Sequence, residues 1–550
     1  MASNPDAARR NPPLSPEPVT GLTSRAGGRT SSSCRVLDPT VAYQVRGQSP
    51  LRPTVFVSDS LLVRGRHPDT LGTLESVARR AGFRLDWGET RSSDRDLLDR
   101  ADLPPADLAR LEEVWVNRAR LTSLDDRSEA VFPPIDSWRL LQTFRTEVSD
   151  PQRRSDVALE HPAELGIDPA PYTGSHPYTG SHPYTGSHPY TGSHPYSGSH
   201  STGLAQYAMA GFGGRQPVNW LGAPPLVDPD LPKGVRRPLV AIVDSGVGEH
   251  PWLGPDQVLH DPDVLGEPIG LPSLFDEAGE GSNTQQLVGE LGPDAGHGTF
   301  IAGLIRQTCP AARILSVRLF RDNGIVDEAE LLRVLQLLAL HQFRALHGDP
   351  TCPVLDVLSL SVGYYHEQPE DATFDPLLAG ALGLLGSLGV AVVTAAGNDA
   401  TDRPLFPAAF AGRSTSDTAV PVSAVGALNP DGTIALFSND GPWVRYLRAG
   451  AGLVSTVPTT LDGSMEATNR LVGERGEARS AIDPDGFESG FAIWSGTSFA
   501  APVFAGQLAG RLLWRFLEGD TGTGPDAAVA RASAALDSMP RRDTPRSDER

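Results

Sequence analysis

Four short apolar runs recur in the second half of the chain: PLVAIVD (238–244), ILSVRLF (314–320), VLDVLSLS (354–361) and VAVVTAA (390–396). Each is too continuously apolar to have one face in water, so each reads as a strand buried on both sides. Helical stretches separate them, the clearest being DEAELLRVLQLLALHQFRALHG (327–348). Its Asp327 and Glu330 have the spacing of a capping box, and Gly348 with Pro350 supplies a stop. Buried strands alternating with helices predict an α/β fold, a parallel sheet covered on both faces. In such sheets ligands gather beyond the carboxyl ends of the strands.

Polar or small residues stand at those ends. Asp244 closes the first strand, and Ser361-Val362-Gly363 follows the third. Asn398 follows the fourth, while His297 opens a helix in GHGTFIAGLI (296–305). Ser498 lies in WSGTSFAAPVFAG (494–506), where Gly496 and Pro502 suit an abrupt helix start. Taken alone, Ser498 reads either as a helix N-cap or as a reactive hydroxyl beside unpaired helix N–H groups. The set of residues favours the second. A serine hydroxyl attacks an acyl carbon only when an imidazole takes its proton. The imidazole in turn needs a carboxylate to fix its tautomer. The Asn398 amide and the Ser498 backbone N–H are candidate donors to the oxyanion that forms.

The blocks around Asp244, His297, Asn398 and Ser498, together with VSAVGALNPDGTIALFSNDGPWV from Val422, resemble the subtilisin-like serine proteases, the subtilases. The order Asp, His, Ser along the chain is the subtilisin order. The resemblance spans roughly residues 237–515. It implies a subtilisin-like doubly wound, mainly parallel sheet flanked by helices. It also implies a serine endopeptidase with Asp244, His297 and Ser498 as catalytic triad and Asn398 in the oxyanion hole. Ser361, Val362 and Gly363 would then hydrogen-bond an extended peptide as an added strand does. Residues 395–398 would wall a pocket for a small or apolar side chain. The alternative is a catalytically weak or inactive peptide-binding scaffold on the same fold. Two departures stand out. After His297 the helix runs directly into CPAARILSVRLF, leaving little room for the loop that holds calcium in many relatives, so no metal is expected there. Calcium elsewhere stays open by the resemblance, with no site identified, and no other cofactor is implied. The second departure is a polar insertion ending near Ser489, a candidate loop over the active site.

The remaining chain is of other kinds. Residues 1–50 are rich in Pro, Ser, Gly and Arg and read as a disordered tail. Residues 53–147 read as a small α+β domain: a strand in PTVFVSDSLLV, a helix in DTLGTLESVARRAG, and strands in FRLDW and EVWVNRARL. A last helix lies in IDSWRLLQTFR. This domain is either an inhibitory propeptide or a module that recruits a partner. Residues 148–205 are expected to be a flexible linker carrying four copies of PYTGSH and one PYSGSH. Extended repeats set their histidines about 19 Å apart, which favours a spacer over a metal site. The peptidase domain is set at 206–518, followed by a tail at 519–550 that is partly helical.

Three cysteines are too few for a disulfide framework, and no secretory h-region or run of about 20 apolar residues is present. A formal charge of −20 without a basic stripe argues against nucleic acid. The expected setting is cytoplasmic and the expected partner a polypeptide substrate, with no nucleic acid and no membrane.

Overall fold

The computed structural model describes residues 34–44, 49–65, 67–88, 90–124, 134–165, 215–272, 283–285, 289–292, 294–320, 324–368, 376–412 and 418–542. The PYTGSH repeats and the first 33 residues lie outside them.

The N-terminal unit is α+β. It contains β1 (Cys34–Leu37), β2 (Thr54–Val57), β3 (Ser60–Arg64), α1 (Pro68–Arg80), β4 (Phe83–Asp86), α2 (Thr90–Asp99) and α3 (Pro105–Glu113). These are followed by β5 (Val116–Ser123), α4 (Ser137–Glu147), β6 (Val157–Leu159) and β7 (Pro162–Leu165). Four strands pair antiparallel in the order β4-β5-β3-β6. Side chains alternate across the pleat. Leu61 and Val63 of β3 join a core with Leu74 and Val77 of α1 and Phe144 of α4, while Leu62 faces the other way.

The second unit is built on β8 (Leu239–Asp244), β9 (Val258–Leu259), β10 (Arg313–Arg318), β12 (Val357–Leu360), β14 (Ala391–Ala395), β15 (Ser423–Leu428) and β16 (Val444–Ala449), with a short β11 (Ile325–Asp327) and β13 (Val362–Tyr365) outside the main sheet. The seven form one sheet in the order β9-β10-β8-β12-β14-β15-β16, and every neighbouring pair is parallel. The expected α/β architecture is thus present, with both faces of the sheet covered. Along β8, Val240 and Ile242 enter a core with α5 (His297–Thr308) and α8 (Thr497–Leu517). Leu239, Ala241 and Val243 enter the opposite core with α6 (Glu328–Leu346) and α7 (Pro376–Ser387). That second core is continuous with the N-terminal unit: Leu62, Leu97, Leu98, Leu111 and Trp115 are buried in it. The two units are therefore packed together through apolar surface, the dominant favourable term in association.

Several boundaries differ from those expected. The stretch from 148 is not linker throughout, because β6 completes the N-terminal sheet and β7 pairs with the second unit. The tail before residue 50 contains β1, paired with β2. PTVFVSDSLLV is two strands, turned at Ser58-Asp59. The stretch after 518 contains helix α9 (Pro525–Asp537), whose Ala528, Ala532, Ala535 and Leu536 are buried in the core beside α8.

Candidate active site

Asp244, His297, Asn398 and Ser498 are brought together at the carboxyl edge of the sheet. His297 is the first residue of α5, and its Nδ1 donates to Asp244 Oδ1 at 2.8 Å. Both side chains are buried. The Asp244 carboxylate also accepts from the Ser245 N–H, and the Ser245 hydroxyl accepts from the Gly298 N–H, so strand end and helix start are tied together. Gly298 is required here: a Cβ would come within 2.0 Å of the Gly246 carbonyl oxygen. The imidazole packs against both Trp494 and Phe499, with ring centroids at 5.6 and 5.1 Å, and these two rings touch each other at 4.9 Å. Since Phe499 adjoins Ser498, the imidazole lies against the first turn of α8.

Ser498 is the second residue of α8, after Thr497, with Gly496 as N-cap. Pro502, expected to mark the helix start, instead sits inside the helix. Proline has no N–H to give the carbonyl four residues earlier, which is that of Ser498. The Ser361 hydroxyl donates to this carbonyl at 3.1 Å. The serine block is thereby pinned to the end of β12.

Asn398 is oriented by Thr497. The Thr497 N–H and Oγ1–H both donate to Asn398 Oδ1 at 2.9 Å, and Thr497 Oγ1 accepts from the Gly397 N–H. With its oxygen end held, Asn398 lines a pocket together with Ser498. That pocket is lined by Ser361, Val362, Ala395, Gly397, Asn398, Leu405, Thr497 and Ser498. Gly397 has φ +104, and a Cβ there would meet Asn439 Nδ2 at 2.3 Å. The walls are small and carry no charge: Val362, Ala395, Gly397 and Leu405 are apolar, and Ser361, Asn398, Thr497 and Ser498 bring polar groups.

Above the pocket, β7 of the N-terminal unit lies between two edges. It pairs antiparallel with β11, Ile325 opposite Glu164 and Asp327 opposite Pro162. It pairs with β13 on the other side, Gly363 opposite Glu164 and Val362 opposite Leu165. The Leu165 N–H donates to the Gly324 carbonyl at 2.7 Å. Val362 and Gly363 thus act as a ladder edge, and its occupant is the chain's own segment. The ladder reaches Leu165 opposite Val362, which follows Ser361, the residue bonded to the Ser498 carbonyl.

The capping box expected at Asp327 and Glu330 does not form. Arg118 takes the Asp327 carboxylate at 2.8 Å, and the Glu328 N–H at the helix start donates to the His161 carbonyl at 2.9 Å. His161 is buried between two carboxylates, with Nδ1 3.0 Å from Glu328 Oε2 and Nε2 3.1 Å from Glu367 Oε2. Its ring stacks on Tyr364 at 4.7 Å. Burial alone would push this imidazole down, but the hydrogen bonds and charges of Glu328 and Glu367 outweigh it and hold its pKa at about 10. Neither this cluster nor the orienting role of Thr497 was read from the sequence. Thr497 had a signal in its place next to Ser498; the cluster had none, since His161 lies 167 positions before Glu328 and 206 before Glu367.

The insertion before the serine block carries β18 (Arg470–Val472) and β19 (Ala478–Ser480), an exposed hairpin reached from β17 (Leu453–Thr456) and closed by β20 (Phe491–Trp494). Its base touches the Asp244 loop, where the Thr459 N–H donates to the Glu249 carbonyl. Among the described residues, no group of three or more His, Cys, Asp or Glu side chains is arranged to hold a metal ion. Cys34, Cys309 and Cys352 are free, and among the described residues no helix is long and apolar enough to cross a membrane.

Residues 236–515, just over half of the chain, match the model of the subtilase family. A thermophilic serine proteinase of Bacillus sp. (strain AK1) is 25% identical over 281 residues, 51% of this chain and 53% of that protein, so the chain spans about half the length of this relative. Among solved structures, a cold-adapted subtilisin-like serine proteinase is 19% identical, over 53% of this chain and 79% of that one, with a TM-score of 0.33. A lanthipeptide protease is 19% identical over 53% and 78%, with a TM-score of 0.35.

Proposed function

The chain belongs to the subtilase family, and from that premise we propose that it is a serine endopeptidase acting through Asp244, His297 and Ser498. The observation that carries the reading is the buried 2.8 Å bond from His297 Nδ1 to Asp244 beside the first turn of α8. With Nδ1–H donated to the carboxylate, the other ring nitrogen is the basic one. It takes the Ser498 proton as Oγ attacks the scissile carbonyl, and Asp244 stabilises the imidazolium. The oxyanion receives the Asn398 amide and the Ser498 N–H. His297 then gives its proton to the departing amine, leaving an acyl-enzyme, and the same base activates water to release it. The uncharged pocket supports a small or apolar residue at the bond cleaved.

The occupied ladder supports the inhibitory role for residues 34–165 over recruitment of a partner. A segment paired on both sides where an extended substrate would pair excludes that substrate. The shared core holds the segment there.

The test is labelling with a serine-directed fluorophosphonate after the chain has been brought to constant activity. Native protein is expected to react, Ser498→Ala not at all, and His297→Ala only residually. Equal labelling of native protein and Ser498→Ala would remove Ser498 as nucleophile and favour the non-catalytic scaffold.

A further inference from the structure

His161 enters the second unit as a guest. Every group that holds it there belongs to that unit: Glu328 at the start of α6, Tyr364 in β13, and Glu367 just beyond β13. The pocket is built rather than incidental. The Tyr364 hydroxyl donates to Glu328 Oε1 at 2.8 Å, aiming the other oxygen, Oε2, at the guest. That oxygen takes both the ring Nδ1 and the His161 N–H, the latter at 3.2 Å, while the Glu328 N–H returns a bond to the His161 carbonyl at 2.9 Å. The site therefore reads a backbone and a side chain together. Glu367 is completely buried; its Oε2 holds the guest ring, and its Oε1 has no hydrogen-bond partner among the described residues.

We infer that Glu328, Glu367 and Tyr364 form a specificity subsite for a cationic side chain of the polypeptide substrate, four residues before the residue that pairs with Val362. The inference rests on the proposed peptidase reading and on β7 standing where substrate stands. His161 precedes Leu165, the partner of Val362, by four residues, and a substrate strand in the same register brings its own side chain to the same place. When the N-terminal segment leaves, two carboxylates remain facing one cavity. His366, 3.5 Å from Glu367 through its Nε2, also remains and offsets at most one of them. Two carboxylates facing one cavity repel each other, and an incoming guanidinium, ammonium or imidazolium relieves that cost where a neutral side chain does not. The flat face of Tyr364, already stacked on a ring 9° from parallel, suits a planar guanidinium or imidazolium. Arginine and histidine should therefore be taken ahead of lysine, and lysine ahead of glutamine or methionine.

The experiment uses the full-length protein brought to constant activity and a set of decapeptides that differ only at this position, carrying Arg, His, Lys, Gln or Met. At pH 6, kcat/KM for the Arg peptide should exceed that for the Gln and Met peptides at least tenfold. In Glu367→Gln the ratio should fall below threefold, and Glu328→Gln, measured separately, should lower it as well. Hydrolysis of all five peptides at equal rates by the native protein would overturn the subsite and leave the peptidase reading intact. No hydrolysis of any peptide, with no fluorophosphonate labelling, would overturn both. The native peptide series needs no variant, so a misfolded variant cannot rescue the proposal.

Discussion

Raising the pH should release the N-terminal segment from the cleft, and the cause lies in His161. A free imidazole titrates near 6.5; in its pocket, where Glu328 and Glu367 outweigh the cost of burial, the same group titrates at about 10. A group whose docked pKa is raised contributes fully below its free value and loses that contribution as pH rises through the docked one. The window for His161 is therefore 6.5 to 10. Glu160 adds to it with the same sign: burial, working against Arg118, raises its carboxyl to about 7 from 4.5, so its contribution fades between those values. Glu367 has the opposite sign. Burial would raise it, but His366, His161 and Arg145 hold it well below the usual carboxylate range, so its contribution is lost only in acid. Docking should be tightest near pH 5 and weaken steadily above it. One pH unit inside the window of His161 is worth at most about 1.4 kcal/mol, or tenfold in the docking constant. From pH 6.5 to 8.5 the limit is roughly 100-fold.

The assay is the rate of fluorophosphonate labelling of freshly purified full-length protein, divided at each pH by the rate for protein brought to constant activity. The division cancels the pH dependence of the labelling chemistry that both samples share. The ratio should climb toward the limiting slope above pH 6.5, and His161→Gln should start higher and climb far less. A ratio that is flat from pH 6.5 to 8.5, or that climbs toward acid, would refute the account of His161 as a docked cation.

Two further outcomes are expected. Asn398→Ala should lower kcat by roughly 100- to 1,000-fold with little change in KM, since its amide acts on the transition state; a loss under threefold in a folded variant would make Asn398 structural. Native protein should shorten from 58.4 kDa to a form whose N-terminus falls within a few residues after Leu165, while Ser498→Ala stays full length. Sequencing of the shortened chain decides it, and a first cut beyond His200, or shortening of Ser498→Ala, would refute cleavage in the docked register.

Much of the second unit was legible because its cues are local. The strands β8, β10, β12 and β14 announce themselves by predominantly apolar runs, and α6 by its length and its stop at Gly348. The four residues Asp244, His297, Asn398 and Ser498 were legible through their strand ends and helix starts. The N-terminal boundaries were not, for a physical reason. The stretch from Val157 to Leu165 contains Glu160, His161, Pro162 and Glu164, and no window of it has a helix or strand period. Its order comes from partners far along the chain, Leu61–Val63, Ile325–Asp327 and Val362–Gly363. Pairing over such separations leaves no mark in local pattern.

The misread cap at α6 carries this point into function. Asp327 and Glu330 have the spacing of a self-contained helix start, yet the Glu328 N–H goes to His161 and the Asp327 carboxylate to Arg118, both from the N-terminal unit. A helix start closed by its own side chains has nothing left to offer a ligand. One closed by another segment regains its donors and its carboxylates when that segment departs. The feature that made the cap illegible in the sequence is thus the one that would leave α6 with a binding surface. It also couples inhibition to specificity, because the contacts that hold β7 in the cleft are those that a substrate must replace. A change at Glu328 or Glu367 that loosens the inhibitor therefore weakens the recognition of a cationic substrate at the same stroke.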